Sequence, residues 1–206
     1  FTVDGTPPEV TIVGGPTDST NDVTPTIVGS AAGETVKVTF GLLGTTNDVI
    51  RTAVVQGDGT WNVTPSLSAG VWTVVAEVTD EAGNIGSSTQ ALTVDLTAPA
   101  VSIVGGLTDS TDDETPTITG TTDAGTTIAV SINGLAVTLD STSTGTAWSA
   151  TSTVGLVDGI HNVLVTATDA VGNTATVTQV LTVDTTPPAL TVVHVAVTND
   201  PRPAIT

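Results

Sequence analysis

Acidic and amide side chains recur at fixed places along this sequence. The pattern Val-Asp-x-Thr-x-Pro occurs three times, with Asp4, Asp95 and Asp184 as its second residue. The segments 80–84 and 169–173 both read Asp-x-x-Gly-Asn. Carboxylate, amide and backbone oxygens are the ligands that calcium takes, six to eight at a time. These segments therefore predict calcium sites, with no need for any other metal chemistry.

A second acidic pattern, Thr-Asp-Ser-Thr-Asn/Asp-Asp, begins at Thr17 and again at Thr108. We expect it to face the linkers that begin at Asp95 and Asp184, with Asp112 and Asp158 as further candidates, although Ala69 replaces Asp158 in the first copy. Asp140 is expected to be only solvated. The predicted calcium ligands are Asp4, Asp80, Asn84, Asp95, Asp169, Asn173, Asp18, Asp22, Asp109, Asp113 and Asp184.

The alternative for each of these residues is a turn. Asp and Asn side chains commonly accept hydrogen bonds from nearby backbone amides, and any single Asp is better explained in this way. A metal is favoured only where a linker Asp and an Asp-x-x-Gly-Asn loop come together, because carboxylates that converge without basic partners need a cation.

The composition excludes several partners. Three basic residues face 21 acidic ones, and a formal charge of -18 repels both nucleic acid and anionic membranes. The chain has no Cys, which excludes disulfides and thiolate metal sites. We find no apolar run long enough to insert in a membrane and no export signal, and expect any signal or anchor to lie outside this window.

The sequence repeats itself with a period of roughly 90 residues, the size of a domain. Within each period Ile-Val-Gly-Gly, Thr-Pro-Thr-Ile, a Trp and Asp-x-x-Gly-Asn return in order. We predict the end of a preceding repeat at 1–3, repeat 1 at 4–94, repeat 2 at 95–183, and the start of a third, truncated repeat at 184–206.

Apolar residues alternate with polar ones, as Val74, Ala76 and Val78 do, which is typical of strands. About seven such runs fall in each period, so the fold class is all-β, with tandem immunoglobulin-like β-sandwich domains in a linear array. In a seven-stranded sandwich, the first strand begins beside the loop between the last two strands. Asp4 is therefore expected near Asp80 and Asn84. In repeat 2, Asp95 is expected near Asp169, Asn173 and Asp123.

The linker, the acidic turn and the Asp-x-x-Gly-Asn loop together resemble the Ig-like repeats of giant bacterial adhesins of the Bap and RTX kind. The resemblance covers the whole chain and implies a structural stalk on the bacterial cell surface, supporting adhesion or biofilm formation. It also implies calcium ions that stiffen the junctions between domains. The expected partners are neighbouring repeats and, as an open possibility, other copies of the protein.

Catalysis is not expected. His161 takes the strand position of Trp72 and is interpreted as a packing residue, and His194 has no second metal ligand at a suitable spacing. No nucleophile elbow is present. Lys37 is expected to be paired or to extend its stem along the surface rather than form an isopeptide bond, because Ala129 replaces it in repeat 2.

Two other functions stay open. A carbohydrate- or surface-binding module would present exposed aromatic residues or a flat Thr array, whereas Trp61 and Trp148 occupy equivalent places and suggest core residues. An extracellular filament would form if the last strand of one chain completed a sandwich in the next, by β-strand addition. The chain end near Leu190 keeps this reading open.

Overall fold

A computed structural model describes residues 3–15, 17–137 and 146–191 of the protein. Every regular element in these residues is a β-strand. The first half holds β1 (Val10–Ile12), β2 (Thr17–Thr20), β3 (Ile27–Ala31), β4 (Thr35–Leu42), β5 (Asp48–Val54), β6 (Thr60–Val63), β7 (Gly70–Thr79) and β8 (Ile85–Val94). The second half holds β9 (Val101–Ile103), β10 (Thr108–Thr111), β11 (Thr117–Thr122), β12 (Thr127–Ile132), β13 (Leu135–Val137), β14 (Ala147–Thr151), β15 (Gly159–Thr168) and β16 (Thr174–Val183).

The strands of each half form two sheets. In repeat 1 the sheets have the orders β1-β3-β6 and β2-β8-β7-β4-β5, and in repeat 2 they have the equivalent orders β9-β11-β14 and β10-β16-β15-β12-β13. Each pair of sheets makes an Ig-like sandwich, which confirms the all-β tandem fold class. The residue limits of the domains stay a prediction.

Alternating side chains build the core between the two sheets. Val74, Ala76 and Val78 on β7 are buried, as are Val163, Val165 and Ala167 on β15. In the core of repeat 1, the indole of Trp61 covers Gly29 so closely that a Cβ at this position would overlap the ring. Trp148 covers Gly120 in the same way. Strand alternation thus buries one face of each sheet, as expected from the sequence.

The described residues of each repeat form eight strands rather than about seven, because the first strand is divided. β1 pairs with β3 in the smaller sheet, whereas β2 pairs in parallel with β8 in the larger one. The chain changes sheets at Gly14 and Gly15, whose φ angles of 103° and 81° lie in the left-handed region that favours glycine. The same change occurs at the second Gly pair, Gly105–Gly106.

The chain divides into two compact units. The first runs to Ala100 and also takes in Asp123–Thr127 and Ala167–Ala175, and the second holds the other described residues. Most of the predicted third repeat, including His194, lies outside the described residues, and so does Asp140.

Candidate functional site

The Asp-x-x-Gly-Asn loop of repeat 1 connects β7 to β8 and is closed by its own side chains. Asp80 Oδ1 accepts hydrogen bonds from the backbone N–H groups of Ala82 (2.9 Å) and Asn84 (2.8 Å). Asp80 Oδ2 accepts one from Asn84 Nδ2 at 2.8 Å. Gly83 takes a positive φ of 88° and donates its N–H to the Asp80 carbonyl at 3.1 Å. The three fixed residues of the motif, Asp80, Gly83 and Asn84, therefore each have a role in the turn.

The Asn side chain of this loop also binds the linker that enters the repeat. Asn84 Nδ2 donates to the backbone carbonyl of Asp4 at 3.2 Å, and Asn173 Nδ2 donates to that of Asp95 at 2.9 Å. The sequence placed these residues together, and they do lie together. The contact is made by a linker carbonyl, however, and not by the linker carboxylate.

Asp169 closes the equivalent loop of repeat 2 with the same bonds. Its Oδ1 accepts from the N–H groups of Val171 and Asn173, and its Oδ2 accepts from Asn173 Nδ2. Desolvation raises the pKa of Asp169, but the bonds from Asn173 and Val171 outweigh it and leave the pKa below its ordinary value. The side-chain amide of Asn84 lowers the pKa of Asp80 in the same way.

The linker carboxylates accept bonds from their own turns. Oδ1 of Asp4, Asp95 and Asp184 accepts from the N–H two residues later, at 3.0, 2.9 and 3.1 Å respectively. The N–H of Asp95 donates to the carbonyl of Thr20, and that of Asp184 donates to Thr111. Asp95 and Asp184 thus each continue the parallel strand pairing of the repeat that the chain leaves.

Two further carboxylates contact linker backbone. Asp123 Oδ2 accepts from the N–H of Ala100 at 2.8 Å, which agrees with its expected place. Asp158 accepts from the N–H of Thr185 (2.9 Å) and from the hydroxyls of Thr185 (2.7 Å) and Thr186 (2.8 Å). The backbone N–H of Thr185 is the main cause that lowers the pKa of Asp158.

The remaining predicted ligands make bonds close to themselves in sequence. Asp22 and Asp113 each accept from the N–H and hydroxyl of the Thr two residues later. Asp18 and Asp109 accept from the next N–H, and their other oxygens lie against Gly14 and Gly105. In the described part of the chain, no three Asp, Glu or His side chains come close enough together to hold a metal ion.

Reasoning from the sequence missed Gln90 and Gln179. Both are almost fully buried, with 1% and 2% of their surface exposed. Gln90 Nε2 donates to the carbonyls of Val13 (3.1 Å) and Gly15 (3.0 Å), and Gln179 Nε2 donates to those of Val104 (3.0 Å) and Gly106 (3.1 Å). The signal was available: Gln90 has the same parity as Leu92 and Val94 on β8, which places an amide on the buried face.

His161 is a packing residue, as expected, and its two ring nitrogens are both hydrogen-bonded. Nε2 lies 2.8 Å from the carbonyl of Val157, and Nδ1 lies 2.9 Å from Asn133 Nδ2. Because a carbonyl only accepts, Nε2 carries the proton and Nδ1 accepts from Asn133. Trp72 makes the matching bond in repeat 1, from Nε1 to the carbonyl of Ser68 at 2.9 Å.

Two other sequence interpretations are settled by side-chain positions. Lys37 pairs with Glu77, with Nζ and Oε2 3.2 Å apart on the surface. The aromatic side chains in the described ranges, Phe40, Trp61, Trp72 and Trp148, are all buried. None of these four rings can stack on a sugar from the surface.

The sequence profile of the bacterial Ig-like domain matches residues 14–96 and 105–185. The chain belongs to this family. Each matched copy covers all the strands of one sandwich except the first, which is β1 in one copy and β9 in the other. These bacterial Ig-like repeats are therefore two domains of one kind in tandem. No curated protein matches the chain.

Several solved structures are similar to these bacterial Ig-like repeats. A tetra-tandem repeat from the extending region of a large adhesion protein is 24% identical over 86% of this chain and 50% of its own, with a TM-score of 0.36. A part of a 1.5-MDa bacterial ice-binding adhesin is 25% identical over 87% of this chain and 66% of its own, with a TM-score of 0.43. The chain thus spans half to two thirds of these structures.

A biofilm-associated protein BSP domain is 22% identical over 88% of this chain and 30% of its own, with a TM-score of 0.32.

No helix among the described residues is long and apolar enough to cross a membrane.

Proposed function

We propose that this chain is a spacer segment of a bacterial surface adhesin, in which each Ig-like repeat lengthens a stalk that presents a binding domain away from the cell. The observation that carries the proposal is the path of the chain through one repeat. It enters at Asp4, which is bonded to Asn84 just before β8, and it leaves at Asp95, just after β8.

Entrance and exit are therefore separated by the length of one strand. Eleven residue steps of about 3.3 Å place Asp95 roughly 35 Å from Asn84. Repeat 2 follows the same path, from Asp95 at Asn173 to Asp184 after β16. A domain whose chain ends lie at opposite ends of a strand adds length with every copy, whereas one whose ends are adjacent adds little.

The role is proposed to be non-catalytic. Both nitrogens of His161 are engaged in the interior, so neither is available as a base. A sugar-binding role is disfavoured because the described aromatic rings are buried. Filament formation by strand addition stays a prediction, since the residues that would supply the strand lie outside the described ranges.

A series of chains with one, two and four bacterial Ig-like repeats tests the spacer role. We expect the maximum dimension from small-angle scattering to rise by roughly 35 Å for each added repeat. A two-repeat chain hardly longer than one repeat would refute the proposal. A parallel assay on immobilised glycans checks the binding alternative, for which we expect no retention.

Calcium at the linkers stays a prediction. The available oxygen atoms are of the chemical type that calcium binds, since Asp4 with Asp80 and Asp95 with Asp169 offer carboxylates beside backbone carbonyls. As arranged here they do not form a cage, because Asp80 and Asp169 each direct both carboxylate oxygens at N–H donors of their own loop. An ion would have to compete with these hydrogen bonds.

Thermal unfolding with calcium and with a chelator tests this prediction. A bound ion raises the melting temperature with increasing calcium concentration, and Asp95→Asn should remove that rise. Asp58→Asn is the matched control, because Asp58 caps a turn at Thr60 and is not a predicted ligand. Identical melting temperatures with and without calcium would leave the acidic loops as turns alone.

A further inference from the structure

The buried amide of Gln90 joins the two sheets of repeat 1. Val13 donates its N–H to the carbonyl of Val28 in the smaller sheet, and its own carbonyl accepts from Gln90 Nε2 in the larger sheet. Gln90 Nε2 also donates to Gly15. Both amide protons are therefore used to hold the segment in which the chain changes sheets.

Repeat 2 has the same arrangement. Val104 donates its N–H to the carbonyl of Thr119 and accepts from Gln179 Nε2, which also donates to Gly106. The glycines have a steric reason too, since a Cβ at Gly14 would lie 2.9 Å from Gln90 Nε2 and one at Gly105 would lie 3.1 Å from Gln179 Nε2. The Gly pair and the Gln thus belong to one structural unit.

Gln90 stands immediately before the parallel ladder between β2 and β8. That ladder has four residue pairs, which run from Thr17 with Ala91 to Thr20 with Val94. The two bonds from Gln90 therefore extend the attachment of the entering chain to β8 beyond these four residue pairs. The donor side chain of Gln90 is almost fully buried, which limits the access of water to these bonds from the core side.

Tension along a stalk acts on this attachment in shear. The chain enters beside the start of β8 and leaves beyond its end, so opposite forces pull the entering segment and β8 apart along their common direction. Parallel neighbours that slide in this way load all their bonds together, whereas strands pulled open from one end load them one at a time. The entering segment consequently resists tension through the β2–β8 ladder and the Gln90 amide.

We propose that Gln90 and Gln179 are mechanical latches, which fix the sheet-changing segments to β8 and β16 and raise the force that each repeat withstands. The inference rests on the spacer function proposed above. It goes beyond that function by assigning mechanical resistance to two buried amides and the parallel ladders beside them.

Single-molecule pulling on the two-repeat chain tests the latch, because each repeat gives its own unfolding event and the unaltered repeat serves as an internal control. Gln90→Met keeps the length of the side chain and removes both donors. We expect the unfolding rate of one repeat at a given force to rise about tenfold or more, with the other unchanged. Gln90→Met with Gln179→Met should weaken both.

Val63→Ala separates mechanical from purely structural effects. Val63 is buried on β6, in the other sheet from the ladder. We expect this variant to lower the melting temperature with little loss of unfolding force, and Gln90→Met to lower both. The latch is refuted if the two variants lose the same unfolding force for each degree by which their melting temperature falls. It is also refuted if Gln90→Met unfolds at the wild-type force.

If Gln90→Met does not fold, the dependence of the unfolding force on the pulling direction tests the latch with all interior residues unchanged. The chain has no Cys, so attachment points can be chosen freely. Pulling between Gly5→Cys and Leu96→Cys shears the β2–β8 ladder, whereas pulling between Gly5→Cys and Glu81→Cys applies force at one end of the repeat. We expect the first direction to need the higher force, and equal forces would overturn the inference. A failed latch leaves the scattering series unaffected, so the two proposals fail separately.

Discussion

Individual Asp and Asn residues in this protein act mainly through hydrogen bonds to backbone groups. The Asp80 carboxylate closes its loop by accepting from two backbone N–H groups and from the side-chain amide of Asn84. Asn84 uses the same amide group to bind the backbone of the entering linker. This turn-forming chemistry is the alternative to calcium binding for each single Asp. The loop and linker residues that the sequence identified as functional are therefore already hydrogen-bonded within the fold.

These carboxylates make stability sensitive to acid. The folded state lowers the pKa of Asp80 and Asp169 below the ordinary value of 3.8. A lowered pKa stabilises the fold at pH values above the ordinary pKa, and this contribution is lost as pH falls through the lowered value. We expect a nearly constant melting temperature between pH 7 and pH 5 and a fall below about pH 4.

Asp80→Asn identifies the source of this acid sensitivity. It should make unfolding of repeat 1 less dependent on pH below about 4, as followed by thermal melts. Glu81→Gln removes a charge from the same loop without altering the Asp80 bonds and serves as the control. An unchanged pH profile in Asp80→Asn would show that these hydrogen bonds do not contribute.

The linkers, as elements, differ in how they are held. Asp158 binds Thr185 and Thr186 after repeat 2, but Ala69 takes its place in repeat 1. Asp158→Ala should speed hydrogen exchange of the Thr185 amide, measured by NMR. Ala69→Asp should slow exchange of the equivalent amide at Leu96, because a new carboxylate can accept from it.

Asp158→Asn provides the control for charge, since it retains an oxygen acceptor. We expect it to fall between wild type and Asp158→Ala in the exchange experiment. Equal exchange at Thr185 in all three proteins would mean that the carboxylate does not restrain this linker.

Strand alternation and turn residues were sufficient to predict the sandwich and most of its core. Val74, Val78, Val163 and Val165 are buried as their parity requires. The divided first strand was missed because two short strands around a Gly pair look like one strand with a bend. Pairing partners are long-range properties that a local pattern does not contain.

The site was predicted in part. Strand order brought Asp4 to Asn84 and Asp95 to Asn173, and these contacts are present. The sequence could not show which atom makes the contact, since the linker offers both a carbonyl and a carboxylate. Gln90 was overlooked because a single polar residue on a buried strand face gives a weak signal, although its repetition at Gln179 was visible.

For the whole molecule, the spacer role depends on where the chain enters and leaves each repeat. The β2–β8 ladder, the Asn84 contact and the Gln90 latch all derive their roles from chain ends at opposite ends of β8. Because both of these chain ends belong to one domain, their separation can be measured within one repeat.

Electron–electron double resonance between spin labels at Gly5→Cys and Leu96→Cys makes this measurement directly. Both positions suit labelling, because a Cβ at Gly5 meets no atom within 4 Å and Leu96 is 46% exposed. We expect one distance population centred at about 35 Å. A population below about 20 Å would place entrance and exit at the same end of the repeat and contradict this expectation.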